Sequence, residues 1–218
     1  MIKVVSFDLD GTLVDKNFDE LLWFKEIPEA YAKKNRISIK KAKEIVFSEY
    51  DKKEKELHYR WTDIGFWADY FGLGDWQRIV DRIKDRIAVY PDVVETLKEL
   101  KKRHKLIIIT QSDPKMIKYK IKTEGIEKYF SMIVSVPGEF KQLKKDKKVF
   151  NEITRKLDIR KEMIVHIGDN YALDYELPRK AGIRAFYLDR SGKANGEDVV
   201  YSLTGFLDII KDIENKRY

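Results

Sequence analysis

Five short, continuously apolar runs constrain the fold of this chain more than any other feature of its sequence. Each run is predicted as a strand, and amphipathic stretches with helical spacing separate the runs. The runs are Ile2–Phe7, Leu106–Thr110, Met132–Val136, Met163–Ile167 and Ala185–Leu188. The helices predicted with them are Val93–Lys102, Lys115–Lys122, Val149–Leu157, Tyr171–Lys180 and Thr204–Glu214. Apolar strands that alternate with helices are typical of a parallel sheet covered on both faces, so an α/β fold is expected.

Residues 16–88 interrupt this alternation. They contain no strand-like run but hold four helical stretches and all four tryptophans. The stretches are Phe18–Lys33, Lys40–Lys55, Ile64–Tyr70 and Trp76–Ile87. We therefore predict an α/β core domain (1–15 and 89–218) and an inserted helical domain (16–88), placed to act as a lid. The aromatic side chains of the insert are expected to pack its own core rather than line a pocket.

The composition excludes several kinds of site. The 218 residues include no cysteine, which rules out disulfides, thiol nucleophiles and Cys-ligated zinc, and the three scattered histidines argue against a histidine metal cage. The net charge of +7 is spread over helical stretches with interleaved acidic residues, which favours solvated helix faces over a nucleic-acid surface.

The absence of a long apolar run predicts a soluble cytoplasmic protein without membrane contact. A monomer or a homodimer is expected. Abundant Lys and Glu with few Gln suggest a heat-adapted protein.

The first apolar run ends in the acidic motif Asp8-Leu9-Asp10-Gly11-Thr12. Carboxylates two residues apart at the end of a strand point the same way, and they repel each other unless a cation offsets their charge. Oxygen ligands in this position suit Mg²⁺ bound together with a phosphate group. A carboxylate there is also able to attack a phosphoryl group. Gly11 permits a sharp turn, and Thr12 offers a hydroxyl and a backbone donor.

Three further polar segments follow later in the chain. Thr110 ends the second run, where its hydroxyl is suited to bind a phosphate oxygen. The lysine-rich segment 144–148 offers an ammonium group that would stabilise the charge of a phosphoryl group. Asp169 follows the fourth run and Asp174 lies about one helical turn beyond it. Alone, Asp169 is equally well explained as a helix N-cap, but together with the first motif it indicates an acidic site. His166, inside the fourth run, is interpreted as a packed strand residue.

In this order the four motifs resemble those of the haloacid dehalogenase superfamily of hydrolases, and the resemblance covers nearly the whole chain. It implies a five-stranded Rossmann-like core with a helical cap inserted between the first two motifs. By this resemblance Asp8 is the nucleophile, Asp10 the general acid/base, and Thr110 the hydroxyl residue that binds the transferring phosphate. The implied ligands of one Mg²⁺ ion are Asp8, Asp10, Asp169 and Asp174.

The resemblance leaves the lysine of the third motif open. The family's lysine is usually followed by proline and lies six residues before a phenylalanine, so Phe150 selects Lys144. Because Lys145 stands where proline is usual, Lys145, Lys147 and Lys148 remain competitors. Gln111 replaces an asparagine found in many relatives and is expected to contribute mainly its backbone. The residues expected to bind the phosphate group are Leu9, Gly11, Thr12, Thr110, Gln111 and Lys144.

The function implied is that of a Mg²⁺-dependent phosphatase acting on a small phosphorylated metabolite, such as a triose phosphate or phosphoglycolate, through an aspartyl-phosphate. Asp10 favours phosphoryl chemistry over dehalogenation, because a halide leaves without a proton. A sugar-phosphate mutase or a haloacid dehalogenase of the same superfamily remains an alternative. The non-enzyme alternative is a nucleic-acid or anion-binding module.

Overall fold

Six parallel strands form the sheet at the centre of this computed structural model, which describes residues 1–215. The strands are β1 Val4–Phe7, β2 Lys105–Thr110, β3 Met132–Ser135, β4 Ile164–Gly168, β5 Arg184–Leu188 and β6 Val199–Val200. Their spatial order is β3-β2-β1-β4-β5-β6, and every neighbouring pair is parallel. The predicted α/β fold with a parallel sheet is confirmed. The predicted number of five strands is wrong, because the two-residue β6, too short to show a periodic pattern, extends the sheet beside β5.

Ten α-helices lie within the described residues. They are α1 Asn17–Leu21, α2 Ile27–Asn35, α3 Ile39–Leu57, α4 Ile64–Tyr70, α5 Trp76–Asp81, α6 Val93–Lys101, α7 Pro114–Thr123, α8 Lys147–Lys156, α9 Leu177–Lys180 and α10 Leu203–Asn215. In residues 1–215 no helix combines the length and the apolar character that crossing a membrane requires.

The sheet is buried on both faces, which explains why most residues of its strands are apolar. Along β1, Val5 and Phe7 join an apolar cluster that includes residues of α6, α7 and α10. Val4 points to the opposite face and packs in a second cluster with α8 and the segment around α9. Helices on both faces are the arrangement that the alternating sequence predicts.

Residues 16–88, which we call the helical insert, contain α1 to α5 between β1 and β2. Trp67 is fully buried there, and its ring centroid lies 4.7 Å from that of Tyr50. These rings pack within the insert, as expected, and their apolar cluster continues into the one on the α7 side of the sheet. The division of the chain into a core domain and a separate cap domain stays a prediction.

Two predicted helices contain a π-helical segment. Leu22–Glu26 joins α1 to α2, and Tyr171–Glu176 precedes α9. In both places a proline, Pro28 or Pro178, occupies the first turn of the α-helix that follows. Because proline has no backbone N–H, it cannot donate to the preceding turn, and the hydrogen-bond register changes there.

The strand order reverses direction at β1, which lies between β2 and β4. Phe7 is level with Ile108 on one side and with Ile167 on the other. The residues that follow these three strands therefore meet at one edge of the sheet, which is the usual position for a ligand site in this kind of fold.

Candidate active site

Asp8 lies at the bottom of a cavity of about 300 Å³ at this edge of the sheet. Its backbone N–H donates to the carbonyl of Ile167 at 2.9 Å, which continues the β1–β4 pairing by one residue. The sheet side of the cavity is lined by residues that include Asp8, Asp10, Thr110 and Asp169. The helical insert contributes Asp19, Trp23 and Thr62 to the opposite side. The cavity therefore lies between the turn that follows β1 and the helical insert, which was predicted to act as a lid.

Three predicted metal ligands, Asp8, Asp169 and Asp174, form a tight group. One carboxylate oxygen from each lies within 4.8 Å of the others. Two glycines allow this approach. A Cβ on Gly11, whose φ is +87°, would lie 2.4 Å from Asp169 Oδ2, and a Cβ on Gly168 would lie 2.4 Å from Asp174 Cγ. Both motifs require glycine because the carboxylates pack directly against bare backbone.

Lys145, rather than Lys144, is the lysine of the site. Its Nζ is fully buried and lies 2.7 Å from Asp8 Oδ1 and 2.5 Å from Asp174 Oδ1. The side chain of Lys144 is exposed, so the spacing from Phe150 selected the wrong residue. The start of α8 explains why Lys145 and not Lys144 faces the site, because Asp146 is the N-cap of α8 and accepts from the N–H of Val149. The residue just before this cap faces the carboxylates.

Burial and charge together decide how these groups are ionised. Burial raises the pKa of Asp8 to about 8, against the lowering effect of Lys145. Burial alone would lower the pKa of Lys145, but Asp174 and Asp8 raise it to about 12, so the ammonium group stays charged. Burial also opposes ionisation of Asp174, yet the contacts with Lys145 and His166 hold its pKa well below the usual range. The result is a buried ammonium group shared by two carboxyl groups.

The group of Asp8, Asp169 and Asp174 fits a divalent cation. Against these three carboxyl groups stand two ammonium groups, those of Lys145 and Lys16, the latter 2.5 Å from Asp169 Oδ2. The donor atoms are all carboxylate oxygens, which are the ligands that Mg²⁺ prefers. When all three carboxyl groups are ionised they exceed the ammonium groups by one charge, and this excess and the oxygen donors fit the predicted metal.

The side chain of Asp10 lies outside that group. Its Oδ1 accepts from Lys120 Nζ at 2.6 Å, and its Oδ2 accepts from the hydroxyl of Ser112. Lys120 Nζ also lies 2.6 Å from Asp19 Oδ2. Of the four predicted metal ligands, the structure thus brings three carboxylates together and places the fourth among other partners.

Sequence reasoning missed Lys120, although a signal was present. It lies on the apolar face of α7 with Met116, Ile117 and Ile121. A lysine in such a stripe is buried only when its charge is paired, so the position itself indicates nearby carboxylates. The other missed contacts, those of Lys16, Asp19 and Ser112, depend on residues that are distant in sequence and had no local signal.

Two predicted phosphate-binding residues line the cavity. Thr110, at the end of β2, is almost fully buried, and its Oγ1 accepts from the N–H of Ser112 at 3.2 Å. Gln111 contributes more than its backbone, because its Nε2 donates to the carbonyl of Leu143 at 3.1 Å. Gln111 therefore connects the end of β2 with the segment that carries the active-site lysine.

Thr12 and Leu9 are held in the interior of the turn. The Thr12 hydroxyl accepts from the N–H of Asp169 at 3.1 Å, and its side chain is fully buried. The Leu9 side chain is also fully buried, and its carbonyl accepts from the N–H of Leu13 at 2.9 Å. These contacts shape the turn and place the Asp169 loop, whereas any contact of Thr12 or Leu9 with phosphate would come from the backbone.

His166 is packed inside β4, as predicted. Its Nδ1 lies 2.8 Å from the Ser6 hydroxyl and its Nε2 lies 3.3 Å from Asp174 Oδ1. Burial lowers the pKa of His166, so the imidazole is neutral at neutral pH. His166 therefore contacts Asp174 but does not line the cavity.

Comparisons with known proteins place the chain among the hydrolases. The family model of haloacid dehalogenase-like hydrolases matches residues 2–182. The chain is 25% identical over 173 residues to "GMP/IMP nucleotidase YrfG" of Escherichia coli K12, which covers 79% of this chain and 76% of that protein. It is 28% identical over 110 residues to a phosphoserine phosphatase of Thermus thermophilus, which covers 50% of this chain and 44% of that protein.

A solved structure extends the likeness to almost the whole chain. The crystal structure of a HAD phosphatase from Thermococcus onnurineus aligns with a TM-score of 0.81 and 25% sequence identity, over 96% of this chain and 98% of that one. With these relatives the predicted enzyme class, a phosphoric monoester hydrolase, is confirmed. Because the family model matches most of its length, the chain belongs to the haloacid dehalogenase-like hydrolases.

Proposed function

We propose that this protein is a Mg²⁺-dependent phosphatase that hydrolyses a small phosphorylated metabolite through an aspartyl-phosphate on Asp8. The observation that carries the proposal is the contact of Asp8, which lines the cavity, with the buried ammonium group of Lys145. The ammonium group favours the ionised form of Asp8 that attack requires, against the opposing effect of burial, and it would offset the charge of a bound phosphoryl group. Asp10, two residues away, supplies the acid/base group that the reaction needs.

The reaction consists of two displacements at phosphorus. In the first, an Asp8 oxygen forms a bond to phosphorus while the bond to the leaving oxygen breaks, and Asp10 gives a proton to the departing alkoxide. In the second, Asp10 takes a proton from water, whose oxygen attacks phosphorus and releases Asp8 and inorganic phosphate. Lys145 and Thr110 stabilise the phosphoryl oxygens in both steps.

Asp8, Asp169 and Asp174 are the residues that would hold Mg²⁺. When bound, the ion would neutralise charge on the phosphoryl group and on the attacking carboxylate. Lys16, which contacts Asp169, and Lys145, which contacts Asp174, balance part of the acidic charge beside it. The excess of carboxylates over ammonium groups supports a divalent cation here.

The substrate is proposed to be a phosphate monoester of a small alcohol, with triose phosphate and phosphoglycolate as candidates. The support is the size of the cavity, about 300 Å³, and its position against the helical insert. The names of the relatives, a GMP/IMP nucleotidase and a phosphoserine phosphatase, add nucleoside monophosphates and phosphoserine to the compounds that deserve testing.

Phosphate release from a panel of compounds tests this proposal. The panel contains the candidates named above and 4-nitrophenyl phosphate, each with Mg²⁺ and with chelator. Asp8→Asn should abolish release, whereas Asp15→Asn should retain it, because Asp15 contacts Asn17 and does not line the cavity. Full turnover by Asp8→Asn would contradict the mechanism. Halide release from a haloacid, or isomerisation without free phosphate, would replace the proposal by the dehalogenase or the mutase.

A further inference from the structure

Lys120 is a fully buried cation that joins two carboxylates from different parts of the fold. Its Nζ lies 2.6 Å from Asp10 Oδ1, in the turn after β1, and 2.6 Å from Asp19 Oδ2, in α1 of the helical insert. The same Nζ lies 5.8 Å from the centre of the Phe18 ring. A fully buried lysine needs carboxylate partners for its charge, and both partners of Lys120 line the active-site cavity.

We infer that Lys120 is the positioning residue for Asp10, and that Asp19 makes this positioning depend on the helical insert. The inference rests on the proposed function, since it concerns the general acid/base of that reaction. Lys145 contacts the nucleophile Asp8 directly, whereas the ammonium group of Lys120 contacts Asp10 and Asp19. Lys120 therefore acts through Asp10 rather than on the phosphoryl group.

The contacts of Asp10 explain why it needs such a partner. A general acid works only when its carboxyl oxygen is held within hydrogen-bond reach of the leaving group. Lys120 binds one oxygen of Asp10 and the Ser112 hydroxyl binds the other, so the plane of the carboxyl group is determined by two side chains. Without Lys120, the carboxylates of Asp10 and Asp19 would face each other with no cation between them and would repel.

The connection with the insert runs along one side of α7. Three polar side chains of α7 contact acidic residues of the insert. These pairs are Lys115–Asp63 at 2.7 Å, Tyr119–Asp81, and Lys120–Asp19 at 2.6 Å. Lys120 is the one of the three that also contacts an active-site residue. A displacement of α1 would therefore change the contacts of the ammonium group that holds Asp10.

The dependence of the rate on the leaving group distinguishes positioning from general structural support. An alkyl phosphate needs a proton from Asp10 when its alkoxide leaves, whereas 4-nitrophenolate leaves without one. We would measure single-turnover cleavage with enzyme in excess, for Lys120→Met and wild type. We expect the rate for an alkyl phosphate of the panel to fall about 100-fold, and the rate for 4-nitrophenyl phosphate to fall less than about 3-fold.

Two further variants keep the test decisive if Lys120→Met does not fold. Asp19→Asn leaves the Lys120–Asp10 pair in place and should lower the alkyl rate by about 10-fold with little effect on the aryl rate. Ser112→Ala should act in the same direction, because it frees the other oxygen of Asp10. Lys118→Met, in the same helix but exposed, is the matched control and should leave both rates unchanged.

The outcomes separate this inference from the proposed function. Equal losses for both substrates, or no loss for either, in the folded variants would overturn the role of Lys120. A wild-type enzyme that cleaves neither substrate would instead count against the phosphatase itself. A selective loss for the alkyl substrate that Lys120→Arg partly restores is the result we expect.

Discussion

Replacing Lys145 by methionine, with Lys144→Met as its control, tests which lysine serves the site. Lys145 Nζ is fully buried and contacts both Asp8, at 2.7 Å, and Asp174, at 2.5 Å. Methionine keeps most of the volume and removes the charge. Lys144 is the adjacent, exposed lysine, and Lys144→Met removes the same charge from the protein surface.

The expected losses of stability and of kcat follow from the two carboxyl groups that lose their cationic partner. Removing one partner of a buried ion pair lowers the free energy of unfolding by roughly 3–5 kcal/mol, and here two carboxyl groups lose the same partner. Loss of one group that stabilises charge in the transition state lowers kcat by roughly 10²–10³-fold. We therefore expect Lys145→Met to approach the upper end of the stability range and to lose at least 100-fold in kcat. Lys144→Met should stay within about 0.5 kcal/mol of wild type.

The variant should also show a diagnostic pH dependence. Burial already raises the pKa of Asp8 from 3.8 to about 8 in the presence of Lys145, whose charge acts to lower it. In Lys145→Met the lowering effect is gone, so folded Asp8 keeps its proton to a higher pH than it does in wild type. Because folded Asp8 of wild type already keeps its proton up to about pH 8, the free energy of unfolding of the variant should fall, relative to wild type, as the pH rises above about 8.

Urea denaturation at pH 7 and pH 9.5, followed by circular dichroism, measures this difference, and the phosphate-release assay measures kcat. If Lys144→Met lost activity while Lys145→Met kept it, our assignment of the lysine would be wrong. A Lys145→Met protein that became more stable with rising pH, relative to wild type, would refute the charge argument.

Three other predictions concern the turn, the metal and the core. Gly11→Ala should lower metal affinity and stability, since its Cβ would lie 2.4 Å from Asp169 Oδ2, whereas Gly74→Ala, with a similar positive φ but open space, should lower the free energy of unfolding by only about 1–2 kcal/mol. Calorimetric Mg²⁺ titration and urea denaturation compare the two variants, and equal behaviour would contradict the packing argument. Mg²⁺ should raise the melting temperature of wild type, and Asp174→Asn should abolish the shift in a thermal scan; an unchanged shift would count against the site. Because burial lowers the pKa of His166, the unfolded chain binds a proton below pH 6.5 that the folded chain does not. The free energy of unfolding should therefore fall by at most about 1.4 kcal/mol between pH 6.5 and 5.5, and it should fall less in His166→Asn. Identical pH profiles of the two proteins in urea denaturation would exclude this contribution.

The regular part of the fold was predictable from local pattern. Each of the five predicted strands is present, because a strand buried on both faces must be apolar along its whole length. The carboxyl ends of β1, β2 and β4 meet at the switch in strand order, so Asp8, Thr110 and Asp169 come together as their positions after strands indicate. What local pattern did not reveal was β6, whose two residues pair only because β5 offers a free edge.

The lysine shows where spacing alone fails. Counting back from Phe150 gives Lys144, but the side chain that enters the site is decided by where α8 begins. Asp146 caps that helix, and the direction of the chain before the cap aims Lys145 at Asp8. A shift of one residue reverses the direction of a side chain in extended backbone, and only the folded chain resolves such a shift.

The sequence by itself determined the class of fold, the edge of the sheet that carries the site and the chemical types gathered there. These follow from short-range rules: strand and helix periodicity, a glycine next to Asp10 and another next to Asp169, and acidic residues after strands. The tertiary structure decided which lysine pairs with Asp8, that the Asp10 carboxylate turns to Lys120 and away from the acidic group, and that Asp19 of the insert shares that cation. Such pairings join residues 101 to 137 positions apart, and charge selects among them only after packing has brought the candidates within a few ångströms of one another.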